Sequence, residues 1–271
     1  MLKARVLTAA VLLPPVLAAV WSGGWPLAVL VVLIAAAASL EALPLVLGSP
    51  VAEPGPTSRW LVGAAGVVPA VAGALATARG PGWGVGAATA AAAVWVLLAA
   101  VAPVGEAWEG GKRWHLVGAA ALLSFWIGWP LAHVLALRLD GPWALLVPLV
   151  IVWVQDTVAY FAGRAWGRRR LAPRVSPAKT WEGAVAGLVA GLVAAVLLAE
   201  PLAARPVAMV PVGLLTAIAG QAGDLFESAW KRRAGRKDSG RLLPGHGGVL
   251  DRIDSVLFAL PVFAWSAALF L

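Results

Sequence analysis

Apolar runs of roughly twenty residues, the length that crosses a bilayer core as a helix, follow one another from the N-terminus to the last residue. With 61% hydrophobic and 13% charged residues and a mean hydropathy of +0.86, a soluble fold could not hide so much apolar surface. The runs predict an all-α polytopic membrane protein with about nine spans, near 5–22, 25–47, 60–78, 83–104, 115–137, 142–163, 182–203, 206–227 and 249–271. The opening MLKAR and its apolar run resemble a signal peptide, but the following runs are equally apolar, so an uncleaved first helix is expected. Pro14 and Pro15 are expected to kink it. The Pro-rich 49–58 segment reads as a connecting loop. The expected organisation is about five N-terminal helices over 1–140 and a C-terminal region over 141–271, with loops 164–181 and 228–248.

Charge placement sets an orientation. With the N-terminus in the cytoplasm, only Arg79, Arg138 and Arg205 of the 21 Lys and Arg fall in outward loops. The rest lie inward, as the positive-inside rule asks. Nine spans then leave the C-terminus on the opposite side and both basic stretches, 164–179 and 231–241, on the cytoplasmic face. Beside a membrane, such stretches suit anionic lipid headgroups or phosphorylated substrates and not nucleic acid. The chain has no Cys, which removes disulfides, thiolate chemistry and zinc–thiolate sites.

The polar residues concentrate in Gly223–Ser255, GDLFESAWKRRAGRKDSGRLLPGHGGVLDRIDS. Asp224, Glu227 and Ser228 are spaced i, i+3, i+4 and share one helix face; Asp251, Asp254 and Ser255 repeat the spacing beyond the loop. Carboxylates at membrane depth are costly and face a polar partner. Mg²⁺ takes one or two carboxylates, with water and substrate phosphates completing its shell. Asp224 and Asp251 therefore fit as ligands from two helices, with Ser228 and Asp254 placed to join or orient them. The alternative is a set of salt bridges to Lys231, Arg232 and Arg252.

Lys231, Arg232, Lys237 and Arg252 suit a polyphosphate. Gly245, Gly247 and Gly248 permit close backbone approach, so their N–H groups and the start of the last helix could hold phosphate oxygens. His246 could contact phosphate, assist proton transfer or order the loop. A second polar stretch runs from Asp156 to Gly183. There Asp156 and Tyr160 are i, i+4, Ser176-Pro177 reads as the start of a turn, and Lys179 could reach a phosphate. Glu41 and His133 stand alone in apolar helices and read as packing or interfacial groups.

These residues resemble the phosphatidate cytidylyltransferase (CDP-diacylglycerol synthase) family. Its signature is filled without a gap by Ser228, Trp230, Lys231, Arg232, Lys237, Asp238, Gly240, Leu243, Pro244, His246, Gly247, Gly248, Val249, Asp251, Arg252, Ile253 and Asp254. Trp230, where an aliphatic residue is usual, is the one mild departure. Gly-Asp-Leu at 223–225, the Ser-Pro-x-Lys-Thr-x-Glu-Gly run at 176–183 and the Asp-x-x-x-Tyr-x-x-Gly-Arg run at 156–164 also look like family motifs.

The resemblance implies a Mg²⁺-dependent reaction of CTP with phosphatidate giving CDP-diacylglycerol and diphosphate. It implies Asp224 and Asp251 as metal ligands with Ser228 beside them, a second cation such as K⁺, a homodimer, and a site facing the cytoplasm of a bacterial-type membrane. The expected catalytic set is Asp224, Lys231, Arg232, His246 and Asp251. Ser176, Lys179, Lys237, Asp238, Gly247, Gly248 and Arg252 join Lys231 and Arg232 as substrate contacts. The rival readings are a CTP-dependent polyprenol or phytol kinase, an anion transporter, and a CDP-alcohol phosphotransferase, whose Asp-Gly-x-x-Ala-Arg motif the sequence lacks.

Overall fold

A computed structural model describes residues 2–47, 56–101, 112–243, 245 and 247–271. The helices are α1 (Leu2–Ser22), α2 (Gly24–Leu47), α3 (Pro56–Thr77), α4 (Pro81–Val101), α5 (Lys112–Leu123), α6 (Trp129–Leu139), α7 (Pro142–Trp166), α8 (Trp181–Leu197), α9 (Met209–Arg233) and α10 (Leu250–Phe270). A π turn, Ser124–Gly128, joins α5 to α6 without a break, so the described residues form nine helical rods. Seven of these, among the described residues, are long and apolar enough to cross a membrane, and α8 is a shorter apolar helix. The chain is an all-α polytopic membrane protein.

The chain divides into two compact units. The first comprises Met1–Leu139 with Arg233–Arg252, and the second Asp140–Arg232 with Ile253–Leu271. In the first, α3 packs along α2 and α4 and against the α5–α6 rod. Small residues set the spacing: a Cβ on Gly73 would strike Ala132, and one on Gly128 would strike the Gly66 carbonyl. The π turn is tied down by the Ser124 hydroxyl, which donates to the Ala65 carbonyl at 2.9 Å. Arg138 closes the end of α1 by donating Nε to the Val20 carbonyl at 2.6 Å and Nη2 to that of Trp21.

In the second unit α7 and α8 pack most closely. Gly183, Gly187 and Gly191 face Ala159, Gln155 and Ile151 of α7, while Val185, Val189, Val193 and Leu197 are exposed. The helix is thus two-faced by size and not by polarity, as expected where lipid is as apolar as the protein interior. Gly213 meets Ala195 of α8, and Gly223 lies so near the Asp254 carbonyl that a side chain would not fit.

Several boundaries differ from the sequence expectation. The helix expected over 182–203 ends at Leu197 and gives way to a 3-10 turn, Glu200–Leu202, because Pro201 has no N–H to donate to the Leu197 carbonyl four residues back and its ring would strike that carbonyl in a continued α-helix. The helix expected to end at 227 continues to Arg233, where the Glu227–Lys231 pair and a basic end complement the helix dipole. Ser176-Pro177 does not start a turn. It opens strand β2 (Ser176–Thr180), antiparallel to β1 (Arg170–Ala172). Proline holds the preceding residue extended and is tolerated on an edge strand, and a two-stranded ribbon consists of edges. The hairpin ends at Thr180, whose hydroxyl caps α8 by accepting the Gly183 N–H at 3.2 Å.

Candidate functional site

The second unit gathers one polar cluster. The i, i+4 spacing on α9 brings the Ser228 hydroxyl to Asp224 Oδ1 at 3.3 Å and Lys231 Nζ to Glu227 Oε2 at 2.6 Å. Lys179, presented by β2, places its ammonium 2.5 Å from Asp224 Oδ2. Asp254 of α10 lies beside Asp224, Glu227 and Lys231. On the next residue, the Ser255 hydroxyl reaches Asp156 Oδ2 of α7 at 3.4 Å. The expected acidic face of α9 therefore meets Asp254, together with Asp156 and Lys179 from the second polar stretch.

The first unit gathers another cluster, around the glycine loop. Asp251, in the first turn of α10, reaches back to accept the Gly248 N–H at 2.8 Å and the Ser239 N–H at 3.0 and 3.2 Å. This resembles a capping box, in which an early helical acid satisfies a donor before the helix start. Gly245 and Gly247 have φ of +75° and +82°, a backbone that a side chain would strain. The Leu243 N–H donates to the Gly247 carbonyl at 2.9 Å, closing the loop on itself.

Glu41 is more than a packing group. Its buried carboxylate accepts the Leu250 N–H at 2.9 Å and the Ser239 hydroxyl at 3.2 Å. The loop donors expected for phosphate, at Gly248 and at the start of α10, are thus directed to Asp251 and Glu41. Sequence reasoning missed Glu41 as a loop contact. The usable signal was its cost: a lone carboxylate in an apolar helix requires a partner.

The remaining expected residues are placed as follows. Arg232 is exposed and donates Nε to the Val175 carbonyl in the hairpin turn at 3.1 Å. Lys237, Asp238 and Arg252 are exposed, and Ser176 is half-buried in β2. His246 lies outside the described residues. His133 is buried, with Nδ1 3.1 Å from the Trp129 carbonyl and its ring edge-on to the Trp129 indole, as expected for a packing group.

Among the described residues no three His, Asp or Glu side chains converge as a ready metal cage. Mg²⁺ does not need one. The Asp224 carboxylate and the Ser228 hydroxyl supply hard oxygen donors, and the ammonium of Lys179 already holds a cationic position against Asp224. The donor chemistry fits a Mg²⁺ ion that completes its shell with water and phosphate.

Residues 3–270 match the cytidylyltransferase family. The chain belongs to this family. Its relatives include the phosphatidate cytidylyltransferase of Brucella abortus biovar 1 (strain 9-941), 43% identical over 167 residues that cover 60% of each chain. That of Pseudomonas aeruginosa is 42% identical over 205 residues, 67% of this chain and 70% of the relative. That of Bacillus subtilis is 41% identical over 160 residues, 57% and 59% of the two. The match thus spans about three fifths of the Brucella protein's length. A cytidylyltransferase must hold a nucleoside triphosphate against an acceptor, and clustered acids and lysines at helix ends are suited to that work.

Proposed function

We propose that this chain is a CTP:phosphatidate cytidylyltransferase. An oxygen of the phosphatidate phosphate forms a bond to the α-phosphorus of CTP, and the α–β phosphoanhydride bond breaks. CDP-diacylglycerol and diphosphate result. The observation that carries the reading is the arrangement of Lys179 of β2 with Asp224 and Ser228 of α9, a carboxylate held between an ammonium and a hydroxyl. The named relatives support the choice of substrates.

The attacking oxygen is already anionic, so no strong general base is needed. The protein's task is to bring two anions together and to stabilise the departing diphosphate. Asp224 and Asp251, with Ser228 and Asp254 beside them, would hold Mg²⁺, which when bound offsets phosphate charge. Lys231, Arg232, Lys237 and Arg252 bind phosphate oxygens. Lys179 exchanges its pairing with Asp224 for a phosphate contact when substrate arrives. His246, Asp238, Gly247 and Gly248 set the loop against the nucleotide, and Ser176 borders the same substrate path. A second cation such as K⁺, a homodimer, a cytoplasmic N-terminus, an outward C-terminus and a site open to the cytoplasm of a bacterial-type membrane belong to the same proposal.

The test uses the purified chain in detergent with phosphatidate, CTP and Mg²⁺, assaying diphosphate and CDP in parallel. Diphosphate appearing one-for-one with CDP-diacylglycerol, and lost on chelation, is the expected result. CDP in place of diphosphate would make the chain a lipid kinase and overturn the proposal.

A further inference from the structure

The Glu41 carboxylate sits in an otherwise apolar stretch of α2, with the residue only 6% exposed. Its two hydrogen-bond donors, the Ser239 hydroxyl and the Leu250 N–H, both belong to the Ser239–Leu250 segment, far downstream in the chain. Leu250 opens α10, where the helix dipole favours an anion. Gly240 and Gly248 leave the room that the carboxylate occupies, because a Cβ on either would collide with it. Four positions of one loop are therefore shaped to a single side chain from α2.

Ser239 is gripped from two sides. Asp251 holds its N–H and Glu41 its hydroxyl. Asp251 also holds the Gly248 N–H. A cation drawing on the Asp251 oxygens would weaken its hold on these donors, whereas the Glu41 bonds do not depend on Asp251. We infer that Glu41 is a positioning residue, fixing the 239–250 loop and the start of α10 so that Asp251 is aimed for use by a cation. The catalytic part of this inference rests on the proposed function; the structural part does not.

The experiment compares Glu41→Ala, Glu41→Gln and the parent chain in lipid nanodiscs by hydrogen exchange and by Mg²⁺-dependent turnover. In Glu41→Ala, amide exchange across 239–250 should rise by about ten-fold or more, with peptides from α7 and α8 unchanged. The Mg²⁺ concentration for half-maximal rate should rise by about ten-fold, with kcat at saturating Mg²⁺ within about three-fold. Glutamine keeps a carbonyl acceptor at the same reach, so Glu41→Gln should restore both readouts to within about two-fold.

Unchanged exchange in Glu41→Ala would overturn the inference. So would a rise spread over the whole chain, or a fall in kcat with unchanged Mg²⁺ dependence. If Glu41→Ala does not fold, Gly240→Ala takes its place, pushing a methyl group into the carboxylate and giving the same local rise. If the parent chain shows no cytidylyl transfer, the functional proposal fails while the exchange measurement still decides the role of Glu41.

Discussion

Two pairs of acids in this chain are neutralised by different means. In the second unit Asp224 and Glu227 face the ammonium groups of Lys179 and Lys231. In the first, Glu41 and Asp251 face backbone N–H groups and a serine hydroxyl. An ammonium rides on a flexible four-carbon stem and can leave one anion for another. A backbone N–H moves only when the backbone does. The lysine-paired cluster is therefore adjustable charge, suited to exchange partners when phosphate arrives, and the loop cluster is fixed geometry. α10 carries Asp251 and Asp254 three residues apart, on one helical face.

The largest expected effects fall on the two proposed metal ligands, and they should separate the clusters. Losing one ligand removes several kcal/mol of charge stabilisation, so Asp224→Asn and Asp251→Asn should each lower turnover by roughly 10³-fold. Only Asp251→Asn should also loosen the loop. An amide at 251 keeps a carbonyl oxygen where Oδ2 accepts both N–H groups, but it turns an NH₂ donor toward the Ser239 N–H in place of Oδ1, and two donors facing each other cannot bond. Hydrogen exchange across 239–250 should rise in Asp251→Asn and stay at the parent level in Asp224→Asn. Equal protection of the loop in both variants would break the distinction between the clusters.

Within the lysine-paired cluster the two pairs should also differ. The Glu227 side chain is fully buried and that of Lys231 is 11% exposed, whereas Lys179 and Asp224 are 27% and 28% exposed. Removing one member of a buried pair costs about 3–5 kcal/mol, so Lys231→Met should lower the unfolding midpoint in detergent clearly. The half-exposed Lys179–Asp224 pair contributes under about 1 kcal/mol. Lys179→Met should therefore leave the midpoint nearly unchanged while lowering turnover by about 10²-fold through loss of the proposed phosphate contact. A larger stability loss in Lys179→Met than in Lys231→Met would reverse the assignment of the adjustable pair.

What could be read from the sequence follows the range of the interactions. Span positions depend on local apolar length, so all nine rods were legible, including the run near 115–137 that the structure builds from α5, a π turn and α6. The shared face of Asp224, Glu227 and Ser228 follows from helical period alone. The partners of those residues do not. Nothing near Asp224 announces that Lys179 will reach it from a hairpin, and the hairpin itself is hidden because Ser176-Pro177 carries the same signal in a turn as on an edge strand. The grip of Glu41 on the glycine loop is the longest-range case. Gly248 was visible as a permissive position and Gly240 as part of the family signature, but the side chain that fills their space lies in α2. Glycine records that room is needed and not what occupies it.

That missing link gives a smaller but sharper prediction. A Cβ on Gly240 would meet the Glu41 carboxylate, and Glu41 atoms are its three nearest neighbours. Gly240→Ala alone should cost about 1–3 kcal/mol in loop stability, as overpacking does. In the Glu41→Ala background the methyl group enters vacated space, so the second substitution should cost little, giving a coupling of about 1 kcal/mol or more in a double-mutant cycle on loop exchange. Simple additivity would mean that the loop does not close on Glu41.

Arg232 gives the smallest expected effect and combines an exposed cationic head with a directed hydrogen bond to the backbone. Its cationic head is exposed on α9, yet Nε is directed to the Val175 carbonyl of the hairpin turn that precedes β2 and Lys179. Arg232→Lys keeps the charge and loses that donor. At an exposed position one such bond contributes about 0.5–1.5 kcal/mol, so turnover should fall by about five-fold and the midpoint should barely move. Arg232→Met, which loses the charge as well, should fall further. If Arg232→Lys instead loses about 10²-fold or more, equal to Arg232→Met, the guanidinium fork itself is gripping phosphate, because a lysine cannot reproduce a bidentate contact. Arg232 would then belong with the fixed geometry, and the adjustable charge would narrow to Lys179 and Lys231.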